Sequence, residues 1–309
     1  MREVPNYRKA FLANLESIAT CDRRTGHTRF RADQLLELFS AHEGTFTLED
    51  ARDFQADKTS VAARQFAESV TSLVPEGSEG ADSLVMQLLR GWDGHMGETD
   101  SAPLAYHELS FAMIERTVRP FFGPKAGNFW AEEMRLLLDQ LLQRSELMLG
   151  QFADWAAVVR DALPEALATL EEKHGPDPAA WEWGAVHRVA WRHSLGRDDA
   201  ELFNLTQAPA HLPLGGDGNT TCCLSGDYEA AGVAGVSYRQ LFDLADLNGA
   251  QIVIPPGNSG RLGSPHAGDN IGRWKVVEYH PLYVAAADVE AHKAAQTELA
   301  PQTYPGAKL

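Results

Sequence analysis

The chain has 309 residues, 44% of them hydrophobic and 23% charged, so it can bury a sizeable core and does not have the composition of a disordered chain. Asp and Glu outnumber Lys and Arg by 43 to 27, leaving a formal net charge of −16. No basic run interrupts that background, which argues against nucleic acid or an anionic membrane surface as partner. No stretch reaches the ~18 consecutive apolar residues of a membrane span, and the first residues lack the apolar core and cleavage pattern of a signal peptide.

Residues 1–29 carry no assignable pattern, residues 30–205 read as helical, and residues 206–309 read as a β-rich stretch completing the same domain. Thr47-Leu48-Glu49-Asp50 has the form of a capping box, a hydroxyl followed three residues later by an acid. Leu104, Leu109, Met113, Ile114 and Val118 recur at helical spacing over 102–122. A second stripe, Met134, Leu137, Leu138, Leu141, Leu142 and Met148, predicts a helix over 129–149. Helical pattern continues over 155–174, where Pro164 must kink the helix or begin a new one, and Gly175-Pro176 ends it. Further on, 236–244 alternates as a half-buried strand, Asn248-Gly249 reads as a hairpin turn, and 250–254 as the returning strand. A Gly/Pro/Ser loop follows over 255–272, then a strand over 274–279 and a short helix near 288–297. Helices first and strands later make an α+β layered domain.

Cys21, Cys222 and Cys223 are too few and too awkwardly placed for a disulfide framework. A bridge between sequence neighbours is strained, so small buried hydrophobes are the expected role. The usual self-contained catalytic signatures are absent. Gly257-Asn258-Ser259-Gly260-Arg261 lacks the closing glycine of a nucleophile elbow and reads as a turn. The glycines from Gly215 to Gly218 lack the context of a phosphate-binding loop, and His107-Glu108 has no second histidine four residues on. His187 and His193 stand six apart, a spacing that suits no common chelate, and read as structural. Asp198-Asp199 reads as a solvated face.

Several blocks, taken in order, resemble the penicillin acylase family. Residues 50–60, with Asp50, Gln55, Asp57 and Ser60, resemble its E-D-M-x-x-I-Q-x-D-x-x-S segment, and Leu89-Arg90-Gly91-Trp92-Asp93-Gly94 its L-x-x-W-D-G. Trp183-Gly184 with His187 and His193 resembles its W-G-x-x-H…H-P-L-G. Gly216 to Thr220, Ser237-Tyr238-Arg239, Pro255 to Gly260 and Gly263 to His266 follow in the family's order. The resemblance spans about 30–285.

It implies the C-terminal portion of an N-terminal-nucleophile hydrolase with a four-layer αββα fold, belonging to the later part of the large subunit. Such enzymes hydrolyse linear amide bonds of acylated substrates, such as β-lactam side chains or acyl-homoserine lactones. An N-terminal serine is the nucleophile, its own α-amine the base, and an asparagine with backbone N–H groups the oxyanion hole. By the same resemblance that nucleophile is absent from this chain, which would be inactive alone and need an N-terminal partner to supply it. Ser17, Cys21 and Ser225 are poor candidates for a new terminus, and Asn14 lacks the family's double-asparagine context. Arg31, within Phe30-Arg31-Ala32-Asp33-Gln34, resembles the arginine that helps fix the oxyanion asparagine; read from the residues alone, it is equally a surface arginine at a helix start. The resemblance implies no cofactor or metal in this chain, with room for a structural calcium in the complete enzyme, where Asp22 is a weak match to a ligand. Localisation would be periplasmic or extracellular within an exported precursor, and cytoplasmic if the chain is made as it stands. Two rivals come from other classes: a non-catalytic scaffold derived from the fold, and an unrelated hydrolase using His187, His193 or His266 with a carboxylate.

Overall fold

The computed structural model describes residues 30–117, 138, 154–189, 191, 212–224, 235–261 and 263–299. Among the described residues the helices come first: α1 Phe30–Ala41, α2 Leu48–Ala56, α3 Val61–Leu73, α4 Leu84–Leu89, α5 Ala102–Thr117 and α6 Trp155–His174. Short 3₁₀ turns at Pro178–Ala180 and Trp183–Ala185 lead into a two-stranded ribbon of β1 Arg188–Val189 and β2 Leu212–Pro213. A three-stranded sheet follows, ordered β3 Arg239–Asp243, β4 Asp246–Val253 and β5 His280–Pro281, with α7 Ile271–Lys275 inserted before its last strand and α8 Ala286–Ala291 after it. A helical N-terminal region thus precedes a strand-rich C-terminal region, as expected.

The helix boundaries have local causes. Thr47 caps α2 through the anticipated box: its hydroxyl accepts from Asp50 N, while the Asp50 carboxylate accepts from Thr47 N. Ser60 caps α3 and Asp154 caps α6 in the same one-sided way. Gly175, at φ +84°, ends α6 where a side chain would be strained. Pro164 lies inside α6, which runs through it as one helix. Its ring is on the exposed face, where water can satisfy the carbonyl that loses its N–H partner.

Two apolar clusters form the core. The larger joins α3, α4, α5 and α6 with Leu138, Trp181 and Trp183. At its centre, α5 packs most extensively against α6 and is buried on nearly every side, Leu104, Tyr106, Leu109 and Met113 completely. The spaced stripe in 102–117 therefore understates the burial, because α5 is enclosed rather than amphipathic. The smaller cluster unites Leu214, Leu224, Leu241, Val253, Trp274 and Tyr279, and Leu48, Ala51 and Ala56 of α2 pack against it.

Three expectations need correction. The β3–β4 turn falls at Leu244–Ala245, not at Asn248-Gly249. Asp243 Oδ1 accepts from Ala245 N at 2.8 Å and Asp246 Oδ1 from Asn248 N at 3.1 Å, so aspartate side chains close the turn. Asn248 instead lies in β4 and reaches out: its Oδ1 accepts from Val284 N and Ala285 N, and its Nδ2 donates to Asp288. Second, 274–279 is not a strand. Trp274 sits in α7 with its indole N–H on Val236 O at 2.8 Å, and the pairing with β4 is made by His280 and Pro281. Third, the last helix covers Ala286–Ala291, earlier and shorter than 288–297. The helix over 129–149 lies outside the described residues apart from Leu138, which is helical and buried.

Candidate functional site

Arg31 occupies the first turn of α1, and its Nη1 donates to Cys223 Sγ at 2.8 Å. One turn later Gln34 donates from Nε2 to Asp57 Oδ1 at 3.0 Å. Residues three apart share a helix face, so one side of α1 grips the loop after α2 and the loop around 223. These two loops are also tied directly to each other. Cys222 N donates to Asp57 O at 3.1 Å, and the Thr221 hydroxyl reaches Phe54 O at 2.6 Å and Asp57 O at 3.1 Å. Cys223 holds φ +48°, an uncommon conformation for a side-chain-bearing residue, and this conformation is part of the loop that meets Arg31.

Beneath this contact the separated sequence blocks interlock. The Ser60 hydroxyl donates to Asp217 Oδ2 at 3.0 Å, and Asp217 Oδ1 accepts from Asn219 N and Thr220 N. Ser60 N donates to Gly94 O, Met96 N to Lys58 O, and Gly216 N to Met96 O at 2.7 Å. The Trp183 indole N–H reaches Gly216 O at 2.9 Å. Gly94 has φ +83°, and a Cβ there would lie 2.5 Å from Ser60 O, so the backbone approach needs glycine. Gly216 has φ +79°, with Cys222 Sγ 2.5 Å from where its Cβ would stand.

His187 closes the same seam. Its two ring nitrogens meet Leu214 O at 3.0 Å and Leu224 O at 3.1 Å, and its ring stacks on Trp183. Burial pushes its pKa below the ordinary range, against the pull of the two carbonyls and of Asp217. Both nitrogens face backbone carbonyls, one of which accepts the single N–H of the neutral ring, so His187 is a staple across the 214–224 loop. His266 is exposed and faces Asp269 Oδ2 at 2.8 Å in a different loop, so it is not brought together with His187. His193, Asp198-Asp199, Asn14, Ser17, Cys21, Asp22 and Ser225 lie outside the described residues.

The ring nitrogens of His187 face backbone carbonyls and that of His266 faces a carboxylate, so neither of these two histidines is paired with a hydroxyl or thiol in these contacts. The Ser259 hydroxyl accepts from Arg261 N within its turn, as the turn reading expects. No group of three His, Cys, Asp or Glu side chains among the described residues could hold a metal ion. No helix among them is long and apolar enough to cross a membrane. A separate pocket of about 560 Å³ is lined by Trp92, Asp93, His95, Asp100 and Trp181 among others, and Arg31 and its neighbours take no part in it. His95 Nδ1 lies 3.0 Å from Asp100 Oδ2, and Asp100 also accepts from Gly97 N.

Chemically, the seam can hold a guanidinium beside a point that another segment could reach. An arginine side chain carries five donors in a rigid fork, and Arg31 spends one on Cys223. Sequence reasoning singled out Arg31 but missed Gln34, Asp57 and Cys223 as its surroundings. The signal for Gln34 was available, since it stands one turn after Arg31 on the same face. Nothing in the sequence put Cys223 against either.

A helical layer leading into a strand-rich region, with its ordered blocks locked at one seam, defines a fold of the N-terminal-nucleophile hydrolase class. The structure matches that of a thermostable penicillin G acylase from Alcaligenes faecalis with a TM-score of 0.56, over 89% of this chain and 53% of that one, at 16% identity. The chain belongs to the penicillin amidase family, whose model matches residues 7–291. It is 25% identical over 297 residues to a penicillin acylase 2 proenzyme of Pseudomonas sp. (strain SE83), covering 89% of this chain and 36% of that protein. It is 24% identical over 268 residues to the acyl-homoserine lactone acylase QuiP of Pseudomonas syringae pv. syringae (strain B728a), covering 80% of this chain and 31% of that protein. The chain therefore spans about a third of the length of these curated relatives.

Proposed function

We propose that this chain is the C-terminal part of a penicillin-acylase-type amidohydrolase that cleaves linear amide bonds of acylated substrates, such as β-lactam side chains or acyl-homoserine lactones. The observation that carries the reading is the family match over 7–291 combined with a span of only about a third of the relatives. The serine nucleophile and the oxyanion asparagine come from an upstream polypeptide, joined to this chain or separate. Residues 30–205 and 206–309 act as two stretches of one domain, a union supported by α2 packing into the second core.

In this mechanism the serine hydroxyl attacks the amide carbonyl while the serine's α-amine takes its proton. The resulting oxyanion is held by fixed N–H donors, and collapse expels the amine, which receives the proton. Arg31 does not touch the reacting atoms. It is a positioning residue whose guanidinium, anchored by Cys223, fixes the carboxamide that meets the oxyanion. Interactions that strengthen only as charge develops act on kcat more than on KM. Arg31→Ala in the assembled enzyme is therefore expected to lower kcat by roughly 10²-fold with little change in KM.

Purification from the native source without denaturant, followed by mass spectrometry and an amide-hydrolysis assay, tests the reading. A co-eluting or continuous upstream polypeptide with an N-terminal serine, active on acyl amides, is the expected result. This chain purified alone from its source, with no upstream sequence, would leave the enzymatic reading without its nucleophile and sink it.

A further inference from the structure

The β3–β4–β5 sheet turns one face toward the second core and the other toward solvent. Arg239, Leu241 and Val253 are buried on the inner side. Tyr238, Gln240 and Phe242 alternate with them and point outward. Ile252 stands directly opposite Gln240 in the ladder and shares its outer face, with Tyr238 just before β3 and Phe242 at the register shift between Leu241 and Asp243. Tyr238 is 45% exposed and Phe242 39%, and the hairpin end adds Leu244 at 89% and Leu247 at 49%. Apolar side chains exposed singly are ordinary, but four within residues 238–247 of one hairpin mark a surface that something covers.

Among the described residues, the strand that carries this group is also an edge: β3 pairs there with β4 alone, and across its other side the side chain of Gln55 reaches Gln240 O at 3.1 Å. Edge strands are commonly protected by outward lysine or proline. β3 has neither, and its one cation, Arg239, is turned inward to Trp274 O at 2.7 Å.

We propose that the outer face of this hairpin is where the upstream acylase polypeptide docks, with Phe242 and Leu244 as its apolar anchors. The inference rests on the reading of the chain as the C-terminal part of a longer acylase. Its occupant follows from length and charge. The relatives carry about two thirds of their length beyond what this chain spans, so a polypeptide larger than the chain itself is available to cover the patch. A second copy of this chain is disfavoured, because each copy has a net charge of −16 and would bring Asp243 and Asp246 at the hairpin end against the same acids. The complementary surface is apolar and rimmed by Lys or Arg.

Photo-cross-linking from within the full chain, produced in its source cell, tests this. The photoreactive residue p-benzoylphenylalanine replaces Phe242 in one sample. In the control it replaces Leu299, 91% exposed and outside the patch. Cross-linked peptides from position 242 to upstream acylase sequence, absent at 299, are expected. Cross-links to a second copy, to an unrelated protein, or none above the control overturn the assignment. A Phe242→Asp/Leu244→Asp double variant supplies a second reading: association with the upstream part should fall at least ~10-fold. Because both side chains point outward, the chain's own melting should be unchanged, and association kept at the parental level overturns the proposal. An upstream polypeptide cross-linked at 242 in a complex inactive on amides leaves the docking surface standing and removes the enzymatic reading. An active complex without the cross-link does the reverse.

Discussion

Cys222 is 2% exposed, and burial pushes its thiol up to about 11, whereas the neighbouring Cys223 is half-buried and accepts the Arg31 guanidinium. Only the thiolate attacks an alkylating agent, so accessibility and pKa both protect Cys222. Brief iodoacetamide treatment of the native protein should label Cys223 at least ~10-fold faster than Cys222. Peptide mass spectrometry reads the ratio, and equal labelling would mean that the 220–224 loop opens faster than the reagent reacts. Glu108 shows a different balance. Burial raises its pKa, but the imidazole of His107, 3.8 Å away, and the Lys173 ammonium, 3.0 Å away, outweigh that and hold the carboxyl at about 2. Of the two cations that act on Glu108 only His107 is its neighbour in the sequence. Lys173 is the partner that α6 delivers to α5.

At the scale of elements, loops are held as firmly as helices. Gly94→Ala forces a left-handed backbone and a Cβ 2.5 Å from Ser60 O, at the cap of α3. The expected cost is about 2–3 kcal/mol, measurable by urea unfolding with the m-value unchanged. His187→Phe keeps a ring to stack on Trp183 but removes the single imidazole N–H that one of Leu214 O and Leu224 O accepts. A loss of about 2–3 kcal/mol is expected. A loss within 0.5 kcal/mol of zero, by the same urea measurement, would mean that water replaces the imidazole. Local pattern made the capping box at Thr47 and the stop at Gly175 readable, because both depend on residues within a few positions of each other. The turn at Leu244–Ala245 was not readable. Asn248-Gly249 has the better turn chemistry, yet Asn248 is committed to residues 284, 285 and 288, thirty-six to forty positions away. Trp274 likewise reads as strand by composition but is helical, because its indole N–H meets Val236 O from α7.

For the whole molecule, acid should weaken folding in two windows. His187 and His174 have pKa values lowered by burial, so below their ordinary 6.5 the unfolded chain takes up protons that the folded chain refuses. Stability therefore falls as pH drops from 6.5 toward their folded values. Glu108 has its folded pKa depressed from 4.5 to about 2, so its contribution is present above 4.5 and is lost as pH falls toward 2. Calorimetry at stepped pH should show both declines, with the first shallower in His187→Phe and the second shallower in Glu108→Gln. A melting temperature flat from pH 7 to 5 would exclude the histidine linkage. The order of helical and strand-rich regions, the family resemblance and the acidic surface were all determined by the sequence alone, since composition, short-range periodicity and ordered motifs need no long-range contact. Which blocks meet was decided only by the tertiary structure. The Ser60–Asp217 and Trp183–Gly216 bonds, the enclosure of α5 and the placing of Cys223 against Arg31 join residues 33 to 192 positions apart. Pairings at that separation depend on how the layers pack, and no window along the chain contains both partners.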